Sequence, residues 1–135
     1  MTTFAHSLPK ASEDGIDANT QVTVLDNPTH GGASHHYLIT KAKSGSTPAP
    51  VRATLNGDFA LIHFQDGPIR ACGVNGCTNE DLLAIVIHRL TSFQAGPFKS
   101  MYNEAALDRV KVALALLQSR TADRVRRGVE GLDKP

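Results

Sequence analysis

The sequence predicts an α+β chain, a small antiparallel β-sheet followed by a long C-terminal antiparallel helical hairpin. Three observations carry this. Between Gln21 and Val74, short β-branched runs alternate with turn signals such as Asn56-Gly57 and Asp66-Gly67-Pro68. From Thr78 the apolar period becomes helical, and with one break it holds to Arg127. The break is the stretch Phe93-Gln94-Ala95-Gly96-Pro97-Phe98, where Gly96-Pro97 ends one helix and turns toward the next.

Residues 1–20 are polar, mixed in charge and without period, and are expected to be poorly ordered. Gln21–Leu25 is β-branched and reads as a first strand, broken by Asp26-Asn27-Pro28. HGGASHHYLIT opens as a glycine-rich turn and becomes strand-like from His36, and Ser44–Pro50 is a loop by composition. Val51–Leu55 and Asp58–Phe64 flank Asn56-Gly57, the strongest short-range signal for a two-residue hairpin turn. Ile69–Val74 reads as a further strand, so residues 21–74 form an expected sheet of four or five strands. Thr78-Asn79-Glu80-Asp81 has the form of a capping box and opens a helix from Asn79 to about Phe93. That helix is apolar almost all round, through Leu82, Leu83, Ile85, Val86, Ile87 and Leu90, which predicts a cover supplied by a partner chain. The second helix is expected from Ser100–Asn103 to about Arg127, with Gly128 as its stop. Its stripe runs Asn103, Ala106, Val110, Ala113, Leu117, Arg120, Arg124, apolar in the middle and polar at both ends. The expected organisation is an N-terminal segment (1–20), a sheet (21–74) and a hairpin (75–135) that forms one structural domain with the sheet.

Composition excludes several classes. The 135 residues carry a formal net charge of +1, too little to attract long nucleic acid. No apolar run approaches the roughly 18 residues that span a bilayer. The stretch MTTFAHSLPKASEDG lacks the basic and apolar regions of a signal peptide, so the expectation is a cytoplasmic protein with Cys72 and Cys77 reduced. His30, His35 and His36 cluster beside Gly31-Gly32, but adjacent histidines on a strand point to opposite faces, and a loop role is expected rather than a metal site. His63 and His88 sit within apolar segments and read as core-edge residues. Gly73-Val74-Asn75-Gly76 lacks the spacing of a dinucleotide fingerprint and reads as a tight joint. With no G-x-S-x-G, H-E-x-x-H or P-loop pattern, no cofactor and no catalytic pair are expected, and the chain does not read as an enzyme.

Arg120, Arg124, Arg126 and Arg127 stand against Asp123 alone, a local charge of four minus one, or +3. Cations near a helix C-terminus suit the macrodipole, and a merely solvated helix end is the plain alternative. Arginine also offers a planar fork matched to phosphate oxygens. Phe93 and Phe98 offer rings on which a base can stack, and Asn103 an amide for a base edge or a ribose hydroxyl. Together these residue types suit a nucleotide-like ligand. Asn103 and Arg120 are 17 positions apart on one helix, about 25 Å at the usual rise. No small nucleotide spans that distance, so a single pocket using both ends needs arginines from a second protomer.

The run GVNGCTNEDLLAIVIHRLTSFQAGPF, followed by NEAALDRVKVALALLQSRTADRVRRGVEG, resembles a phage-encoded family. Its members carry the helical hairpin shared by the Thoeris anti-defence sponge of the first type and the anti-CBASS cyclic-nucleotide sponge of the second type. The likeness covers about residues 64–131, and the preceding β segment looks like the sheet of the Thoeris sponge. The resemblance implies an oligomer that tightly binds a cyclic ADP-ribose isomer, made from NAD by a TIR enzyme, without cleaving it. It implies recessed pockets between protomers, with Phe93 stacking on a base, Asn103 making a polar contact, and Arg120 and Arg124 meeting pyrophosphate or ribose. Phe98 and Arg127 are further candidates. The expected function is therefore sequestration of glycocyclic ADP-ribose. A sponge mainly for the cyclic di- or trinucleotides of CBASS signalling and a helical module that binds a host protein remain the alternatives.

Overall fold

The computed structural model describes residues 5–8, 20–41 and 58–135. The expected strand Val51–Leu55, the Asn56-Gly57 turn and the Ser44–Pro50 loop lie outside them. The chain divides into two compact units: Met1–Gly67 with Val74–Gly76, and Pro68–Gly73 with Cys77–Pro135.

The first unit is an antiparallel sheet of four strands in the order β1-β2-β3-β4. They are β1 (His6–Ser7), β2 (Thr20–Val24), β3 (His36–Lys41) and β4 (Asp58–His63). β1 falls in a stretch without apolar period and pairs with β2, His6 opposite Val24 and Ser7 opposite Thr23. The register sets Thr23 opposite Leu38 and Val24 opposite Tyr37. Thr23, Val24, Leu38 and Thr40 are buried, so the centre of the sheet falls on β2 and β3. A bulge between Ile39 and Thr40 interrupts the pairing of β3 with β4.

The β2–β3 connection is tied by one carboxylate. Asp26 accepts backbone N–H groups from His35 (2.9 Å) and His36 (2.9 Å), while Ser34 donates its hydroxyl to the Asp26 carbonyl. Gly31 and Gly32 both have positive φ (72° and 78°), which only glycine adopts twice in succession at little cost. Burial alone would raise the Asp26 carboxyl; the two backbone N–H groups and the His36 ring override it and hold the group below the usual carboxylate range. A depressed folded-state value means that the charged form contributes stability above the unfolded pKa of about 4 and that this contribution is lost as pH falls through the lowered value. Asp26→Ala is therefore expected to destabilise the sheet by about 1–3 kcal/mol at neutral pH. Hydrogen exchange of the β2–β3 amides checks it, and the gap between wild type and variant should close in acid.

At the other end of the sheet, Asn75 replaces a strand partner. Its side chain accepts the Asp66 N–H (2.8 Å) and donates to the Asp66 carbonyl (2.7 Å), and its N–H donates to Gln65 Oε1 (2.9 Å). This draws Gly76 against the backbone. A Cβ there would lie 2.5 Å from the Phe64 oxygen, 2.6 Å from the Gln65 nitrogen, and closer still to the Phe64 carbonyl carbon. The glycine of the expected tight joint is thus needed at position 76 for close approach. Gly76→Ala is expected to separate the two segments and lower the thermal midpoint by several degrees, read by a calorimetric scan.

The second unit begins with a correction. Ile69–Val74 is not a strand: Ile69–Cys72 is a single helical turn, α1. Pro68 precedes it with φ −69°, its carbonyl accepts the N–H groups of Ala71 and Cys72, and Gly73 closes the turn on the Ile69 carbonyl. The Pro68 and Ile69 carbonyls close the turn locally, and the β preference of Ile69 yields to those hydrogen bonds.

The hairpin follows the sequence closely. α2 spans Asn79–Gln94 behind the expected capping box, in which Thr78 Oγ1 accepts the Asp81 N–H (3.3 Å) and Asp81 accepts the Thr78 N–H (2.9 Å). α3 spans Met101–Arg126 behind Ser100, whose hydroxyl accepts the Asn103 N–H (3.1 Å). Gly128 follows the C-cap Arg127. The two helices pack on each other. Leu82, Leu83, Ile87 and Leu90 of α2 are half-buried, as are Val110, Ala113, Leu114 and Leu117 of α3, and Leu107 is buried. The apolar residues on the other faces stay open, with Ile85 58 %, Val112 59 % and Leu116 66 % exposed. Among the described residues no helix is long and apolar enough to cross a membrane.

Candidate functional site

The elbow between α2 and α3 is built, not slack. Gln94 grips the backbone of Ser100 from both sides, accepting its N–H (2.9 Å) and donating to its carbonyl (3.1 Å). Gly96 N–H donates to the Phe93 carbonyl, and Lys99 N–H to Gly96. Asn103 donates its side-chain amide to the Phe98 carbonyl (3.4 Å), which joins the first turn of α3 to the loop. Phe98 itself is exposed, and Phe93 is more than a third exposed, with the Arg89 guanidinium 5.5 Å from its ring centroid. The elbow therefore brings an aromatic face, a guanidinium over it and an amide into one neighbourhood of the chain. Arg89 was missed in the sequence, although its i,i+4 spacing to Phe93 is the signal that finds it.

The arginine end is unequal in a way that composition conceals. Arg126 and Arg127 both bind Asp123, at 3.3 Å and 2.9 Å, and Arg127 also donates to the Pro135 carbonyl (3.0 Å). Arg124 is buried, 8 % exposed, and is enclosed by the residues after the helix. Its Nε donates to Glu130 Oε2 (2.9 Å), Nη1 to the Lys134 carbonyl (2.7 Å), and Nη2 to the carbonyls of Val129 (2.9 Å) and Leu132 (3.1 Å). Arg120 is exposed and has no hydrogen-bond or ion-pair partner among the described residues. Of the four arginines, one is free, two share an aspartate on the surface and one is spent inside the chain. Glu130 was not singled out in the sequence; a lone glutamate after a helix stop gives no period or motif to find it by.

The sequence-selected residues thus fall into two groups. Phe93, Phe98 and Asn103 lie in and around the elbow, and Arg120, Arg124 and Arg127 lie at the far end of α3. The structure does not bring the two groups together within one chain, since the helix between them is unbroken. The histidines serve the sheet unit instead. His30 binds Asp66 (2.7 Å), His35 bonds Thr29 Oγ1 (3.0 Å), and His36 stands edge-on to His63 with centroids 4.6 Å apart. His63 and His88 are exposed, which corrects their reading as core-edge residues: the first stacks on a neighbouring strand, and the second lies on the open face of α2. Among the described residues no group of three or more histidines, cysteines or carboxylates is arranged to hold a metal ion.

Fold and site together define the class: an α+β chain whose capped helical hairpin presents a ring and an amide at one end and a free guanidinium at the other. The chain is 37 % identical over 111 residues to Thoeris anti-defense 1 of Bacillus phage SBSphiJ7, covering 73 % of this chain and 78 % of that protein. It belongs to the Thoeris anti-defence 1 family. No family profile matches it.

Arg124 supports the residues after α3 through four hydrogen bonds. Arg124→Ala is expected to cost about 2–3 kcal/mol and to speed exchange of the Val129 and Leu132 amides, while leaving the middle of α3 protected. Site-resolved hydrogen exchange reads both effects.

Proposed function

We propose that this protein counters Thoeris defence by binding and sequestering a cyclic nucleotide immune signal, glycocyclic ADP-ribose, without cleaving it. The binding residues are Phe93, Asn103, Arg120 and Arg124, with Phe98 and Arg127 beside them. The pocket lies between protomers of a homo-oligomer, in the host cytoplasm. Membership of the Thoeris anti-defence 1 family supports the defence system addressed.

The observation that carries the ligand reading is the separation of complementary groups. A ring and an amide lie at one end of α3 and an unpaired guanidinium at the other, about 25 Å away. A second hairpin lying antiparallel brings the two ends together, and the open apolar residues Ile85, Val112 and Leu116 supply a reason for it to dock. The ring stacks on a base, the amide meets its edge or a ribose, and the guanidinium forks onto pyrophosphate oxygens. These groups bind and orient a ligand, and none is a nucleophile.

Isothermal titration with cyclic ADP-ribose isomers and with cyclic di- and trinucleotides tests the reading, followed by chromatography of the released ligand. The expected result is tight binding of glycocyclic ADP-ribose and its recovery intact. Arg120→Ala is expected to weaken binding about 10- to 100-fold, the worth of a charge-assisted hydrogen bond, while light scattering shows the oligomer unchanged. Tighter binding of a cyclic oligonucleotide would shift the target to CBASS signals. No binding, consumption of the ligand or a monomer in solution would each overturn the corresponding part of the proposal.

A further inference from the structure

Arg124 has the donor count of a phosphate site and the partners of one, except that the partners belong to its own chain. A guanidinium has five N–H donors. Four hydrogen bonds are made here, one to a carboxylate oxygen and three to carbonyls, all between 2.7 and 3.1 Å. Their acceptors come from Val129, Glu130, Leu132 and Lys134, a short run of chain folded round one side chain. That is the environment an anion with several oxygens would provide. Apart from Arg124, the enclosing segment is held by few bonds: Val129 N–H donates to the Arg124 carbonyl, Leu132 N–H to Val129, the Gly131 carbonyl accepts the Arg70 N–H, and Arg127 donates to the Pro135 carbonyl. Its carboxylate is 37 % exposed, while the arginine side chain it binds is only 10 % exposed. The partner of the pair that solvent and a ligand can reach is therefore the carboxylate.

Resting on the reading of this arginine end as a ligand site, we propose that Glu130 and its neighbouring carbonyls are an internal stand-in for the ligand's anionic oxygens, occupying Arg124 until a cyclic nucleotide displaces them. The two arginines then differ in order of use. Arg120, exposed and unpaired, meets the incoming anion first. Arg124 follows when the segment after α3 yields it. The arrangement keeps a buried guanidinium from ever being unpaired, which would otherwise cost more than the pair itself gains. It also makes affinity depend on Glu130, a residue that touches no ligand. A permanent structural clasp makes the opposite demand, because loosening it would disorder the site and weaken binding.

Glu130→Gln tests this in the full chain. The substitution keeps the shape of the side chain and removes its charge, at a position exposed enough to tolerate it. Titration with glycocyclic ADP-ribose is expected to show binding about two- to fivefold tighter than wild type, the scale of one partly exposed ion pair. Hydrogen exchange is expected to show the Val129 and Leu132 amides exchanging faster when ligand is bound. Unchanged or weaker binding by Glu130→Gln beside normal binding by wild type overturns the stand-in and leaves the site reading intact. Slower or unchanged exchange of those amides on binding also overturns it. If neither chain binds the ligand, the site reading falls and the stand-in with it.

Discussion

An unbroken α-helix is a ruler, and α3 is the ruler of this protein. Its 26 residues carry no proline or glycine, so nothing bends the rod between Asn103 and Arg120. Whatever the elbow offers, the arginine end cannot join it within one chain. The rest follows from that rigidity. Ser100 fixes where the helix starts, Gln94 fixes how the elbow enters it, and the Phe98–Asn103 bond sets the amide in the first turn. A ligand that needs both ends selects a second copy of the chain, because no change of rotamer spans the gap.

Burial leads to the same place by another route. A hairpin of two helices has only one mutual face, and here that face holds Leu107 as its one buried apolar residue. Two long helices whose mutual face is otherwise only half-buried leave part of that stabilisation unrealised, since helical stability comes mostly from packing an apolar face. A second set of apolar residues, Ile85, Val86, Val112 and Leu116, faces outward. Docking a second hairpin on them removes apolar surface from water and supplies the missing arginines at once, so stability and pocket have a single origin in the proposed assembly.

The parts of the fold written in short-range patterns were legible in the sequence. The Thr78–Asp81 box, the Gly96-Pro97 elbow and the arginines before Gly128 each act within a turn or two, and each stands where the pattern placed it. What depended on partners far along the chain was not legible. His6–Ser7 is a strand only because Thr23 and Val24 accept it, and no local pattern announces that. α1 went wrong for a related reason: β-branched residues describe what fits a sheet, and the Pro68 carbonyl decided the matter instead. For the site, residue type was readable and availability was not. Four arginines look alike in a sequence, and only the fold separates a free one from a surface pair and an enclosed one.

That inequality alters how the charge of the arginine end works. As a sum it is +3, a modest field that salt would screen. As an arrangement, Asp123 cancels much of the surface charge of Arg126 and Arg127, and Glu130 answers Arg124. One guanidinium is left uncompensated. A site of this kind attracts few passing polyanions, because it lacks the dense row of free cations that a nucleic-acid backbone demands. In the proposed site, specificity rests on shape and stacking at the elbow, and charge enters only when an anion reaches Arg120. If Glu130 yields Arg124 as proposed, a small chain holds strong anion-binding capacity at little cost in solubility or unwanted binding.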